Sequence, residues 1–151
     1  MIYQNRQEIR SWFEDWTFFR PVFFTGVFND RLGYGEGEVN ADEIRKTNKH
    51  FFNELHRRVF KKTNKKIPRL VVIERGRGRK HSHMVLETPE HLSAIQYHHL
   101  IQQSWLRTRN GVSIDLTPVY DLHGLSNYLS KEVYPDCEIL GVDIQNCHKT
   151  I

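Results

Sequence analysis

His81 and His83 stand two residues apart in Arg79-Lys80-His81-Ser82-His83-Met84. On a β-strand that spacing puts both imidazoles on one face of a sheet, ~7 Å apart along the strand. Two imidazoles so placed can converge on one divalent ion. The residues before them read as strand, turn and return strand: Leu70-Val71-Val72-Ile73-Glu74, then a turn within Arg75-Gly76-Arg77-Gly78-Arg79-Lys80, then His81 to Leu86. A two-residue loop at Arg77-Gly78 would set Gly76 opposite Arg79 and Glu74 opposite His81. Cross-strand opposites share a face, so Glu74 would bring a third, carboxylate ligand. Gly78 offers the positive φ such a turn uses. A loop one residue longer or shorter would send Glu74 to the other face. A His-His-carboxylate set leaves coordination positions open and suits Mn²⁺ or Mg²⁺ holding a phosphate oxygen as a Lewis acid. Of the two, Mn²⁺ accepts imidazole more readily. Taken alone, His-x-His on a strand is more often just two half-buried polar residues; the carboxylate expected opposite brings the metal reading level with that one, and Arg79 and Lys80 compete for the charge of Glu74.

A second pair lies downstream in Leu125-Ser126-Asn127-Tyr128-Leu129-Ser130-Lys131. Tyr128 and Lys131 are neighbours on one helix surface. A tyrosine hydroxyl is a poor nucleophile at its usual pKa of ~10. It needs a base or a metal to activate it, and a neutralised phosphate to attack. A lysine one turn away would lower that pKa or stabilise the developing charge. By itself, a boundary tyrosine beside an exposed lysine accounts for the pair. The other histidines rank lower: His98-His99 diverge on a helix, His123 precedes Tyr128 by five residues on the same expected helix and lies off its face, and His50, His56, His91 and His148 read as surface residues.

The charge distribution points the same way. The formal net charge of the 151 residues is only +4, from 22 Lys and Arg against 18 Asp and Glu. Yet residues 56–80 hold eleven of the basic residues and one acid, Glu74. Such a stretch is the footprint of a polyanion partner, nucleic acid first. Arg75, Arg77, Arg79 and Lys80 would contact phosphates beside the histidines.

The elements that must position these groups follow from periodicity and punctuation. Ile9, Trp12, Phe13, Trp16 and Phe19 predict a helix over 5–19, ended by Pro21. Val22–Phe28 is a short aromatic strand. Glycines 33, 35 and 37 mark a loop. Asn40 with Glu43 forms a capping box for a helix from 41 to about 64, with Ile44, Phe51, Phe52, Leu55 and Val59 on one face. Thr88-Pro89 predicts a helix start, running to about 107. Val112–Leu116 alternates as a strand. Asp121 caps a final helix over 122–133, striped by Leu122, Leu125, Leu129 and Val133. Residues 139–144 add an edge strand. The order after the first helix, βαββαβα, predicts an α+β fold: a ferredoxin-like antiparallel sheet with helices on it.

Together these residues resemble the HUH endonucleases, and within them the single-tyrosine initiators of rolling-circle replication. His81-Ser82-His83 resembles the His-hydrophobe-His motif, with Ser82 departing from its apolar middle position. Tyr128-Leu129-Ser130-Lys131 fits Tyr-x-x-Lys. Phe24-Thr25-Gly26-Val27-Phe28-Asn29 is similar to the first motif strand, which nominates Thr25 for DNA contact. The resemblance covers about residues 20–134. It implies a metal held by His81, His83 and Glu74, with Tyr128 as the nucleophile that leaves a 5′-phosphotyrosine and a free 3′-hydroxyl. Lys131 would assist as a charge stabiliser. The implied partners are single-stranded or hairpin DNA at a replication origin, followed by a host helicase and polymerase, because no Gly-x-x-x-x-Gly-Lys-Ser/Thr stands in this sequence.

Length and composition fit this reading. At 151 residues, 38% hydrophobic and 26% charged, the chain is expected to form one domain over 1–151, comprising the helix at 5–19, a core at 20–134 and a tail at 135–151. No run of 18 apolar residues spans a membrane and no apolar signal core opens the chain. Cys137 and Cys147 imply no disulfide framework. An intracellular, cytoplasmic setting is the expectation. Two other functions remain open: a transposase of the same superfamily, and a non-catalytic module that grips single strands by charge and stacking.

Overall fold

The computed structural model describes residues 18–28, 41–61, 64–76, 79–108, 111–118 and 138–148; at 41, 74–76, 79–80, 112–118, 138–142 and 144 it describes the main chain. Five strands form one sheet: β1 (Pro21–Phe28), β2 (Arg69–Gly76), β3 (Arg79–Glu87), β4 (Gly111–Pro118) and β5 (Glu138–Val142). Two helices, α1 (Ala41–Val59) and α2 (Ala94–Leu106), and a 3₁₀ turn at Ile144–Asn146 complete the described elements. The sheet order is β4-β1-β3-β2-β5, and every neighbouring pair is antiparallel. The fold class is therefore α+β, and β3, with its two histidines, is the central strand. Among the described residues no helix is long and apolar enough to cross a membrane.

The period-two pattern decides which face each strand residue covers. Phe24 and Phe28 of β1, Val71 and Ile73 of β2, and Met84 and Leu86 of β3 form one core with the helices. Helix α1 contributes Ile44, Phe51, Phe52, Leu55 and Val59, and α2 contributes Tyr97, Ile101 and Trp105. The Trp105 indole meets Phe24, Phe28 and Phe51 edge-on at 5.4, 5.3 and 5.5 Å between ring centroids. Gly26 exists for this indole: a Cβ there would stand 2.5 Å from Cζ2 of Trp105. Phe23, Thr25, His81 and His83 alternate to the opposite face, where Leu70, Val72 and Val85 are also buried.

The helix boundaries differ from those expected. Helix α1 ends at Val59 rather than near 64. Ile67 is 2% exposed, and its N–H donates to Nε2 of His56 at 3.0 Å. The chain must therefore turn back on the last turn of the helix instead of extending it. Helix α2 begins at Ala94, not Pro89. Thr88 does not cap it; its hydroxyl donates to the carbonyl of Arg20 at 2.7 Å. Ser93 is the N-cap, in a capping box with Gln96. Residues 18–20 are a bend and not helix. Arg20 takes φ 44° there, while its guanidinium donates to the carbonyls of Pro89 and Leu92. The edge strand expected at 139–144 is β5, which pairs with β2. The rest of the helix expected over 5–19, and all of the helix expected over 122–133, lie outside the described residues.

Candidate functional site

The hairpin of β2 and β3 sets the register on which the site depends. Glu74 pairs with His81, Arg75 with Lys80 and Gly76 with Arg79. This is the pairing a two-residue loop at 77–78 requires, and it puts position 74 on the face that carries both histidines. On the other side of β3, Thr25 pairs with His83 and Val27 with His81. Asp115 of β4 falls in the same cross-strand row as Thr25 and His83, a carboxylate position that sequence spacing alone did not bring to this face.

The two imidazoles stack along β3 with centroids 6.0 Å apart and planes 16–19° from their neighbours: 19° between His81 and His83, and 16° between His83 and Phe23, whose centroids are 5.4 Å apart. His81 is half-buried and His83 is 7% exposed. The hydroxyl of Thr25 lies 3.0 Å from Nδ1 of His83. Metal-bound histidines are commonly held this way through their second nitrogen, which fixes ring orientation and tautomer. In a metal-bound ring the proton would sit on Nδ1 with the Thr25 oxygen accepting it, and Nε2 would be the ligating atom. Sequence nominated Thr25 for DNA contact; the structure gives its hydroxyl to His83. Its β-branched place in an aromatic strand was the available signal; the pairing with His83 comes only from the sheet.

Among the described residues, no group of three or more His, Cys, Asp or Glu is placed to hold a metal. His81 and His83 supply two nitrogen donors on one face, and Glu74 joins them by main-chain register. The donor chemistry fits Mn²⁺ or Mg²⁺ with open positions, and the Thr25 contact fits an outer-shell support. Arg75, Arg79 and Lys80 flank the same end of the hairpin along the main chain; Arg77, Tyr128 and Lys131 lie outside the described residues.

Ser82, between the histidines, points to the helix face and is fully buried. Its hydroxyl donates to Oδ1 of Asn48 on α1 at 2.9 Å. Asn48 donates in turn to Oδ2 of Asp143 at 3.0 Å. Asn146 donates to the same oxygen at 2.8 Å, and Nε of Arg69 donates to the Asn146 carbonyl at 2.7 Å. A polar chain thus ties the histidine strand to α1, the 3₁₀ turn and the start of β2. Two histidines read as surface residues depart from that expectation. His56 is half-buried between Phe52 and Phe60, and His148 bridges by main chain to Arg69. Burial pushes the Cys147 thiol up to about 12, so it is a poor nucleophile or ligand.

The chain matches no protein-family model, and comparison with curated proteins and with solved structures likewise gives no match.

Proposed function

We propose that the chain is a metal-dependent endonuclease and strand transferase that nicks single-stranded DNA at a specific site and starts rolling-circle-type replication. The observation that carries this reading is the pair of stacked imidazoles on one face of the central strand, with Glu74 registered against His81. The β4-β1-β3-β2 order, with α1 between β1 and β2 and α2 between β3 and β4, supports a ferredoxin-like unit of the HUH type, extended at one edge by β5.

In this reading His81, His83 and Glu74 hold the ion, and Thr25 orients His83. A bound Mn²⁺ or Mg²⁺ supplies Lewis-acid neutralisation of the scissile phosphate. The hydroxyl oxygen of Tyr128 attacks the phosphorus as the bond to the 3′ oxygen breaks. The tyrosine proton is lost and the departing 3′ oxygen gains one. The products are a 5′-phosphotyrosine and a free 3′-hydroxyl, and the reverse reaction rejoins the strand. Lys131 stabilises the phenolate charge. Arg77 and Arg79 hold flanking phosphates; Arg75 and Lys80, paired one step from Glu74 and His81, alternate to the other face of the sheet.

The test is a denaturing gel of the chain with labelled single-stranded oligonucleotides, in Mn²⁺ or in chelator. A Mn²⁺-dependent covalent adduct is expected, mapping to Tyr128 and absent from Tyr128→Phe, which still binds DNA. An adduct that persists in the Phe variant removes Tyr128 as nucleophile. Binding that needs no ion, weakens steeply with salt and never yields an adduct would instead make the chain a single-strand binding module. Excision and insertion of a mobile element by an adduct-forming chain would make it a transposase.

A further inference from the structure

On the helix side of the sheet, away from His81 and His83, a pocket of about 360 Å³ opens between α1, the start of β2 and the 3₁₀ turn. Five of its lining residues are cations: Arg45, Lys46, Lys49, Lys66 and Arg69. Among the described residues, none that lines it is acidic. Two features set it apart from an ordinary basic surface. Arg69 is a cation only 6% exposed, stacked at 4.2 Å over the Phe52 ring. Its Nε and Nη1 donate to the carbonyls of Asn146 and Ile67, and among the described residues it forms no ion pair. The carboxylate of Asp143 acts on it electrostatically, but that group accepts from the amides of Asn48 and Asn146. Arg45 is the second feature. Its Nη1 reaches Asp42, while its Nη2 is buried with no hydrogen-bond partner among the described residues.

A buried cation is costly without an anion close by, and guanidinium forks match phosphate oxygens. Lys46, Lys49 and Lys66 are exposed and add attraction at the mouth. The pocket volume is at the lower end of the range for small-ligand sites, roughly 300–1,000 Å³. That concave shape suits a compact anion and not a duplex backbone. We propose that this pocket binds a small phosphate-bearing anion: a free nucleotide, or the phosphorylated end of a nucleic-acid strand. The site is independent of the strand-nicking reading and stands or falls without it.

The test titrates the full chain with sodium pyrophosphate, by calorimetry and by following the His56 imidazole in NMR. Pyrophosphate is expected to bind and to raise the His56 pKa, because an anion offsets Arg69 and Lys66, whose charges bear on that ring. Lys49→Glu with Lys66→Glu should weaken binding at least tenfold. Lys61→Glu with Arg107→Glu, the same charge change on exposed residues outside the lining, should leave it within twofold. If the first pair impairs folding, Lys49→Gln with Lys66→Gln replaces it. No binding, or equal loss in both pairs, overturns the site in favour of a diffuse surface field. Displacement of pyrophosphate by ADP assigns a free nucleotide, and displacement by 5′-phosphorylated but not 5′-hydroxyl oligothymidine assigns a strand end. Displacement by neither overturns the phosphate-ligand assignment.

Discussion

Acidification should destabilise the fold through His56. The ring sits between Phe52 and Phe60, with centroids 6.1 and 6.3 Å away, and its Nε2 accepts the Ile67 N–H. Burial first, then the charges of Arg69, Lys66 and His148, push its pKa down from 6.5 to about 4. Protonation would also turn the Nε2 acceptor into a donor facing another donor. The unfolded chain therefore takes up this proton before the folded chain does. Stability from this ring is complete above pH 6.5 and is lost as pH falls from there toward 4. A displacement of this size sets a ceiling of about 3 kcal/mol. The ring is only half-buried, and solvent screening brings the expected loss to about 1–2 kcal/mol.

The assay is urea unfolding of the wild type and of His56→Gln, at pH of about 7 and about 4.8. Glutamine keeps an oxygen that can accept from Ile67 and has no proton to gain. The wild type should lose about 1–2 kcal/mol between these conditions and the variant less than about a third of that. His148 adds a smaller loss of the same sign, because burial and the same two cations lower its pKa too. Glu54 acts in a lower window: its hydrogen bond from Arg58, with the nearby charges of Arg57 and Arg58, holds its carboxyl below 4.5. Equal losses in wild type and variant would refute the assignment of the acid sensitivity to His56.

Two further outcomes follow from the packing and the histidine pair. Gly26→Ala should destabilise the chain by ~1–3 kcal/mol in urea unfolding, since the new methyl would stand 2.5 Å from a fully buried indole; Trp105→Phe on that background should recover part of the loss, and a neutral Gly26→Ala would mean α2 does not rest on β1 here. Thr25→Val should weaken Mn²⁺ binding by ~10–100-fold in an electron-paramagnetic-resonance titration, because it removes the hydroxyl beside Nδ1 of His83; unchanged affinity would separate Thr25 from any metal site.

The parts of this fold legible in the sequence are those that local chemistry dictates. Alternation and a glycine at position 78 narrowed the β2–β3 register to a choice set by loop length, and the observed pairing of Gly76 with Arg79 selects the alternative that sets Glu74 against His81. The apolar stripe of α1 likewise announced a helix and its buried face. The helix ends were set by partners far along the chain. Thr88 followed by proline reads as a cap, but a carbonyl 68 residues away takes its hydroxyl. Ser93 and Gln96 carried the true capping signal five residues further on. His56 and Arg69 were missed for a related reason: charged and titratable residues are placed at the surface by default. Only tertiary structure shows that Ile67 and Phe52 draw them inside.

Ser82 shows how a departure from a motif can be absorbed without disturbing the chemistry beside it. An apolar residue between two sheet-face histidines would pack against α1. A serine there would leave a buried hydroxyl unmet, at a cost of ~1–3 kcal/mol. The chain answers with Asn48, a polar residue inside the apolar stripe of α1, whose oxygen accepts that hydroxyl. Asn48 must then place its own amide, and Asp143 accepts it. Asp143 in turn takes Asn146, which anchors the guanidinium of Arg69 through its carbonyl. One polar atom on the central strand is therefore satisfied by a buried chain that ends at the floor of the basic pocket. The serine and the asparagine make sense only together. Replacing either alone strands the other, so the backbone between His81 and His83 is held by a network that a purely apolar motif would not have needed.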